Sequence, residues 1–129
     1  MHRQFLLLSS LAAFLAVALG AFGAHALRGR LDDYALAIYQ TGVQYQFWHA
    51  LGLGLIAFAA QSKPDAALLR WAGWLMLAGI ALFSGSLYVL ALSGLRWLGM
   101  ITPFGGTAFL GAWLLLAVHA WRCSPSSKP

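Results

Sequence analysis

The placement of charge along this chain constrains its fold more than any other feature. Eight Lys/Arg and three Asp/Glu residues gather into a few clusters, leaving four uncharged windows: residues 4–27, 34–62, 71–95 and 97–121. About 20 residues at 1.5 Å rise cross a hydrocarbon core of roughly 30 Å, so each window is long enough to span a bilayer. A helix also satisfies its own backbone hydrogen bonds where water is absent, and the chain lacks the period-2 alternation of a transmembrane barrel. The expected fold class is therefore all-α: a transmembrane four-helix bundle with short loops. Residues 1–122 are expected to form one four-span domain, followed by a short polar cytoplasmic tail, 123–129.

Composition supports the membrane class, with 61% apolar and 9% charged residues, far from the soluble average. A net charge of +5 raises the question of nucleic acid. No Lys/Arg run or basic stripe lies on any helix, so no nucleic-acid partner is expected and the lipid bilayer is. In a four-span bundle Arg3, Lys63, Arg70, Arg122 and Lys128 share one side, while Arg28, Arg30 and Arg96 share the other. The positive-inside rule then puts both termini in the cytoplasm. The first 26 residues look like a secretory signal with cleavage after Ala26. Their apolar run, Phe5 to Ala24, is longer than a usual signal core and three more spans follow, so a retained first helix is expected. The single cysteine, Cys123, has no intrachain partner for a disulfide.

Helix 1 is expected from Arg3 to Ala24. On it Ala12, Ala16, Gly20 and Ala24 recur every fourth residue, a smooth ridge for helix packing. His25 to Arg30 reads as a turn containing Gly29. Asp32 or Asp33 can cap helix 2, running from Tyr34 to Ala60 with Gly42 as a bend point. At the next boundary Ser62 or Lys63 is the expected cap and Pro64 the first helical residue. Helix 3 ends near Leu92, Leu95 to Ile101 is irregular or interfacial, and Thr102 caps a helix 4 that Pro103 opens and Trp121 closes. Trp71, Trp74, Trp97 and Trp121 fit aromatic belts at the membrane surfaces.

Polar residues interrupt the second window. At 100° per residue Thr41, Gln44, Tyr45, Trp48, His49 and Gly52 fall within an arc of about 140°, with Gln46 pointing elsewhere. On helix 3, Ala81, Ser84, Gly85 and Tyr88 form a similar face, with Ser86 off it. One reading makes these groups interhelical hydrogen bonds, each worth about 0.6 kcal/mol on average and rarely above about 1.7. The other makes them a pocket for a small molecule or a proton, because ionisable groups within spans tend to be functional and histidine changes charge near neutral pH. A third, metal or haem binding, pairs His25 and His49 as two axial ligands, with His119 too far away to join and His2 in the N-terminal tail. No metal or cofactor is expected from the motifs. No acid lies in any window, and HExxH, CxxC, P-loop and dinucleotide motifs are missing. Asp32, Asp33 and Asp65 fit helix capping. A Ser84–His49 pair has no third group to orient the histidine, and a proton-coupled exporter of the small multidrug type would need an intramembrane acid. The chain is not expected to be an enzyme.

Four ordered stretches, GAFGAHAL (20–27), YQTGVQYQFWHALGL (39–53), FSGSLYVLAL (83–92) and WLGMITPFGG (97–106), resemble the motifs of the small membrane proteins catalogued as domain of unknown function family 423. That family is similar to the eukaryotic transmembrane protein 256 group. The resemblance spans nearly the whole chain and implies a four-span protein of the bacterial inner (plasma) membrane, with no activity attached. Its motifs fall on His25, Gln44, His49, Ser84, Ser86, Tyr88 and Thr102. With Thr41 and Tyr45 these make the candidate polar intramembrane site. The expected function is that of a multi-pass membrane protein with a non-enzymatic structural, accessory or assembly role, acting as a homo-oligomer or with a membrane-protein partner. The alternative is binding or transport of a small apolar or amphipathic molecule, a lipid or quinone, at the polar site.

Overall fold

The computed structural model describes residues 1–64 and 66–123. Asp65 and the tail beyond Cys123 lie outside the described residues. Helix α1, His2–Phe22, runs without a break into a π turn, Gly23–Leu27, and α2 covers Asp33–Ser62. Helix α3, Ala67–Gly79, a π turn at Ile80–Ser84 and α4, Gly85–Ser93, form one continuous rod. A 3₁₀ turn, Arg96–Met100, leads into α5, Thr102–Arg122. The fold is all-helical. Three segments, His2–Leu27, Ala67–Ser93 and Arg96–Arg122, are long and apolar enough to cross a membrane. Helix α2 has the length, 30 residues, but Gln40, Gln44, Gln46 and His49 dilute its apolar character.

The helix ends follow local chemistry, with corrections to the expected caps. Asp32 caps α2 by accepting the Ala35 N–H at 2.7 Å, satisfying one of the free donors of the first turn. Pro64 does not open the third helix. Helix α2 persists to Ser62, a turn closed by the Ala66 N–H on the Lys63 carbonyl comes next, and α3 begins at Ala67. Gly94 ends α4 at φ +72° and sends its N–H to the Leu90 carbonyl, a left-handed cap open to glycine. Thr102 does not cap α5 with its side chain. Its hydroxyl meets Ser86 Oγ at 2.7 Å instead.

Helices α1 and α2 pack antiparallel, joined at three levels by side chains of one bonded to carbonyls of the other. Ser9 donates to Ala50 at 2.7 Å, Gln46 to Ala12 at 2.9 Å and Tyr39 to Leu19 at 2.5 Å. The small-residue ridge is what lets the backbones approach this closely. Ala16 is fully enclosed, Ala12 and Gly20 are partly covered, and a methyl on Gly20 would sit 3.3 Å from Val43 Cγ1. Ala24, on the π turn, is exposed and leaves the ridge. The partner of that ridge is therefore this chain's own second helix. At Gly42, the expected bend point, α2 continues as α-helix. This glycine admits the Tyr88 ring, whose Cε1 would lie 2.8 Å from an added Cβ.

Two apolar clusters occupy the ends of the bundle. One gathers Phe5, Leu53, Ile56, Leu69, Met76 and Phe109 toward the N-terminus of α1, and the other Leu27, Tyr39 and Ala91 toward the opposite end. The polar residues of α2 and of the α3–α4 rod lie between them. Trp71, Trp74, Trp97 and Trp121 are all exposed, consistent with interfacial anchoring.

Candidate functional site

The middle layer is built on a heptad-like face of α2. Tyr39, Gly42, Gln46, His49, Leu53, Ile56 and Ala60 recur at alternating spacings of three and four, and all are buried. This face is turned by roughly a quarter of a helical turn from the arc read in the sequence. Gln44 is exposed on the outside of the bundle, whereas Gln46 is 5% exposed and occupies the centre. The expectation that Gln44 looks inward and Gln46 away is thus reversed. The residues that alternate with apolar neighbours at helical spacing decide the inward face, and polarity by itself does not.

Gln46 uses both ends of its carboxamide. Its Nε2 donates to the Ala12 carbonyl of α1 at 2.9 Å, and its Oε1 accepts the Tyr88 hydroxyl of α4 at 2.6 Å. One side chain therefore bridges three helices. Next to it Ser84, completely buried, donates to the Gly42 carbonyl at 2.7 Å. Ser86, two residues on and therefore on another side of the rod, is buried as well, because the rod packs against both α2 and α5. Ser86 donates to the Phe83 carbonyl at 2.9 Å and meets Thr102, tying the rod to the start of α5. Ala81, expected on the shared face, is exposed. Among the described residues no buried side-chain nitrogen or oxygen lacks a hydrogen-bond partner.

The other expected members separate from this clamp. Thr41 bonds its own helix at Ala37. His25 is exposed on the π turn beside Gly23, which packs on Tyr39. That level lies about 15 Å of helix rise from His49, so the two histidines are not one ligand pair. His49 and Tyr45 face α5. His49 Nδ1 donates to the Tyr45 carbonyl at 2.7 Å, since a carbonyl can only accept. Its ring stacks on Phe109 at 3.5 Å between centroids, with Trp113 at 5.9 Å edge-on, and Tyr45 stacks on Phe83 at 4.4 Å. These rings line a groove of about 390 Å³ that continues past Pro103, Thr107 and Leu110. A second groove, about 450 Å³, runs outside the α1–α2 pair along Gly20, Val43, Gln44 and Trp48.

Sequence reasoning missed Gln46, Ser9 and Tyr39. Gln46 and Tyr39 were signalled by the three-four spacing of α2. Ser9 carried no such signal, because α1 is apolar and exposed over most of its circumference. No catalytic constellation emerges from this layer: its hydroxyls are donors to carbonyls or to one another, and among the described residues no acid stands near His49.

Comparison with known proteins places the chain in a family. The family described as "Protein of unknown function (DUF423)" matches residues 19–106. The UPF0382 membrane protein YwdK of Bacillus subtilis (strain 168) is 50% identical over 92% of this chain and 96% of its own length. The UPF0382 membrane protein SH2409 of Staphylococcus haemolyticus (strain JCSC1435) is 43% identical over 93% and 97%. SERP0230 of Staphylococcus epidermidis (strain ATCC 35984 / DSM 28319 / BCRC 17069 / CCUG 31568 / BM 3577 / RP62A), another UPF0382 membrane protein, is 46% identical over 90% and 93%. No solved structure matches. The matched residues include the whole of α2, the π turn and the start of α5, and the chain belongs to this DUF423 family, with UPF0382 membrane proteins as its relatives.

Proposed function

We propose that the chain is a four-span protein of the bacterial inner membrane, with both termini cytoplasmic, that acts without catalysis by associating with a second copy of itself. The four-span reading is supported by the antiparallel pairing of α1 and α2. Bonds at Ser9–Ala50, Ala12–Gln46 and Leu19–Tyr39 keep α2 alongside an apolar span over most of its length. Its polar residues are then tolerable in lipid because the inward ones already have partners. An even number of spans returns the C-terminus to the side of the N-terminus. The excess of Arg3, Lys63, Arg70, Arg122 and Lys128 over Arg28, Arg30 and Arg96 favours that side as cytoplasmic.

The association rests on one observation. Gln44 is exposed near the middle of α2, makes no hydrogen bond among the described residues, and borders the outer groove with Gly20, Val43 and Trp48. A carboxamide facing hydrocarbon gains from any partner, and it is its own complement: a two-fold axis beside it lets each Gln44 donate to and accept from the other. The Trp48 ring and the Gly20 side of the groove supply shape around that contact.

Native mass measurement in lipid discs tests it. Wild type should give a dimer and Gln44→Leu a folded monomer. A monomer for both, or a dimer for both, would contradict the proposal. A second reading, binding of a small amphipathic molecule, is favoured by the aromatic groove beside His49.

A further inference from the structure

We infer that the groove between α2 and α5 is a binding site for a lipid-soluble molecule whose flat aromatic ring carries a hydroxyl group, a hydroquinone-type head. It deepens the second reading, binding of an amphipathic molecule, and is independent of the Gln44 contact.

Two polar side-chain atoms in the groove have no hydrogen-bond partner among the described residues. His49 Nδ1 carries its proton to the Tyr45 carbonyl, so a neutral ring leaves Nε2 as an acceptor. Nε2 makes no hydrogen bond among the described residues, and neither does the Tyr45 hydroxyl, although both side chains line the groove. The contrast with the layer beside them is chemical: Gln46, Ser84, Ser86 and Tyr88 all have partners. Polar atoms at membrane depth gain from a partner, and these two are free to take one from a ligand.

The walls specify the rest of the ligand. Phe83, Phe109 and Trp113 join Tyr45 and His49 in a patch of rings in mutual contact, with Phe83 and Phe109 centroids 5.6 Å apart. Flat aromatic groups stack on such a patch, and a planar head is preferred over a saturated chain. At about 390 Å³ the groove lies within the range of small-molecule sites. Leu110, 73% exposed, stands at its rim, so the site opens to the side and an apolar tail can remain in lipid. The lining offers the ligand's polar end an acceptor at His49 Nε2 and a hydroxyl at Tyr45, together with Thr107 Oγ1, whose proton is already given to the Pro103 carbonyl and which can only accept. A head with an O–H donor fits them, whereas a charged head meets no counter-ion in the groove lining.

Two synthetic probes test this: a decyl-substituted hydroquinone, and its dimethyl ether, which keeps the ring and tail but has no donor. Binding is measured by native mass spectrometry of the full-length protein in lipid discs, with the hydroquinone held reduced. Wild type should bind the hydroquinone saturably and at least about tenfold more tightly than the ether, the worth of one buried hydrogen bond. His49→Phe should bind both equally, His49→Gln should keep part of the preference through its amide oxygen, Trp113→Leu should weaken both, and Gln44→Leu should change neither. Equal binding of the two probes to wild type would overturn the inference, as would a preference that survives in His49→Phe. A co-purified lipid mass lost in Trp113→Leu, without hydroquinone binding, would overturn the hydroquinone class while leaving a ligand site in the groove. Should His49→Phe not fold, the wild-type probe comparison and His49→Gln still decide the matter.

Discussion

The two sides of α2 treat polar residues in opposite ways. Toward α1 and α4, Gln46 spends both ends of its carboxamide on Ala12 and Tyr88, and Ser84 reaches the Gly42 carbonyl. Toward α5, His49 satisfies one nitrogen within its own helix and presents the other, with the Tyr45 hydroxyl, to an aromatic groove. The first side is closed because small residues bring backbones together: Ala12, Ala16 and Gly20 on α1, and Gly42 on α2, leave room only for the side chains already there. The second side is held apart by rings. Phe83, Phe109 and Trp113 cannot approach as tightly as alanine and glycine, and a groove remains between them. Residue size at the interface thus separates polar groups that hold the bundle together from polar groups left available.

The largest expected effect breaks the closed side. Gln46→Leu removes a bridge among three helices and strands the Tyr88 hydroxyl, and should cost about 2–3 kcal/mol, read as unfolding free energy in mild detergent or by steric trapping in bilayers. Gly42→Ala should come next at about 2 kcal/mol, because its Cβ would come within 2.8 Å of the Tyr88 ring that Gln46 holds in place. Ser84→Ala removes one buried bond to a carbonyl that the helix also uses, a loss of about 1 kcal/mol by the same measurement. Smallest is His49→Phe, within about 0.5 kcal/mol of wild type, since the new ring keeps the Phe109 stack and loses only a bond within its own helix. A double-mutant cycle on Gln46 and Tyr88 sharpens the picture, with an expected coupling of about 1 kcal/mol.

How much of this was legible in the sequence depended on which interactions are local. The spans follow from charge-free length, and the Asp32 cap from the bond a carboxylate makes to an N–H three residues on. Which side of α2 faces inward is not local. Gln44 and Gln46 differ by two residues, and only the three-four series of Tyr39, Gly42, His49 and Leu53 tells that Gln46 belongs to the buried stripe. The π turn at Ile80–Ser84 was invisible for a related reason: it has no sequence signature of its own and sits where Gly105 lets α5 approach the Phe83 backbone. Ser86 does lie off the Ser84 face: Ser84 meets Gly42 of α2, whereas Ser86 is buried on another side of the rod against Thr102.

The helix ridge carries a similar lesson. Ala12, Ala16 and Gly20 announced close packing correctly, yet small-residue spacing says nothing about whether the second helix belongs to the same chain. Here α2 takes that place, and the proposed association rests instead on the carboxamide of Gln44 on the outer surface.

The most direct test compares the two sides of α2 in one experiment: the unfolding free energies of Gln46→Leu and His49→Phe, measured together in the same lipid discs. Gln46→Leu is predicted to be destabilised by about 2–3 kcal/mol while His49→Phe stays within about 0.5 kcal/mol of wild type. Equal losses, or a larger loss for His49→Phe, would contradict the division into a closed polar clamp and an open aromatic groove.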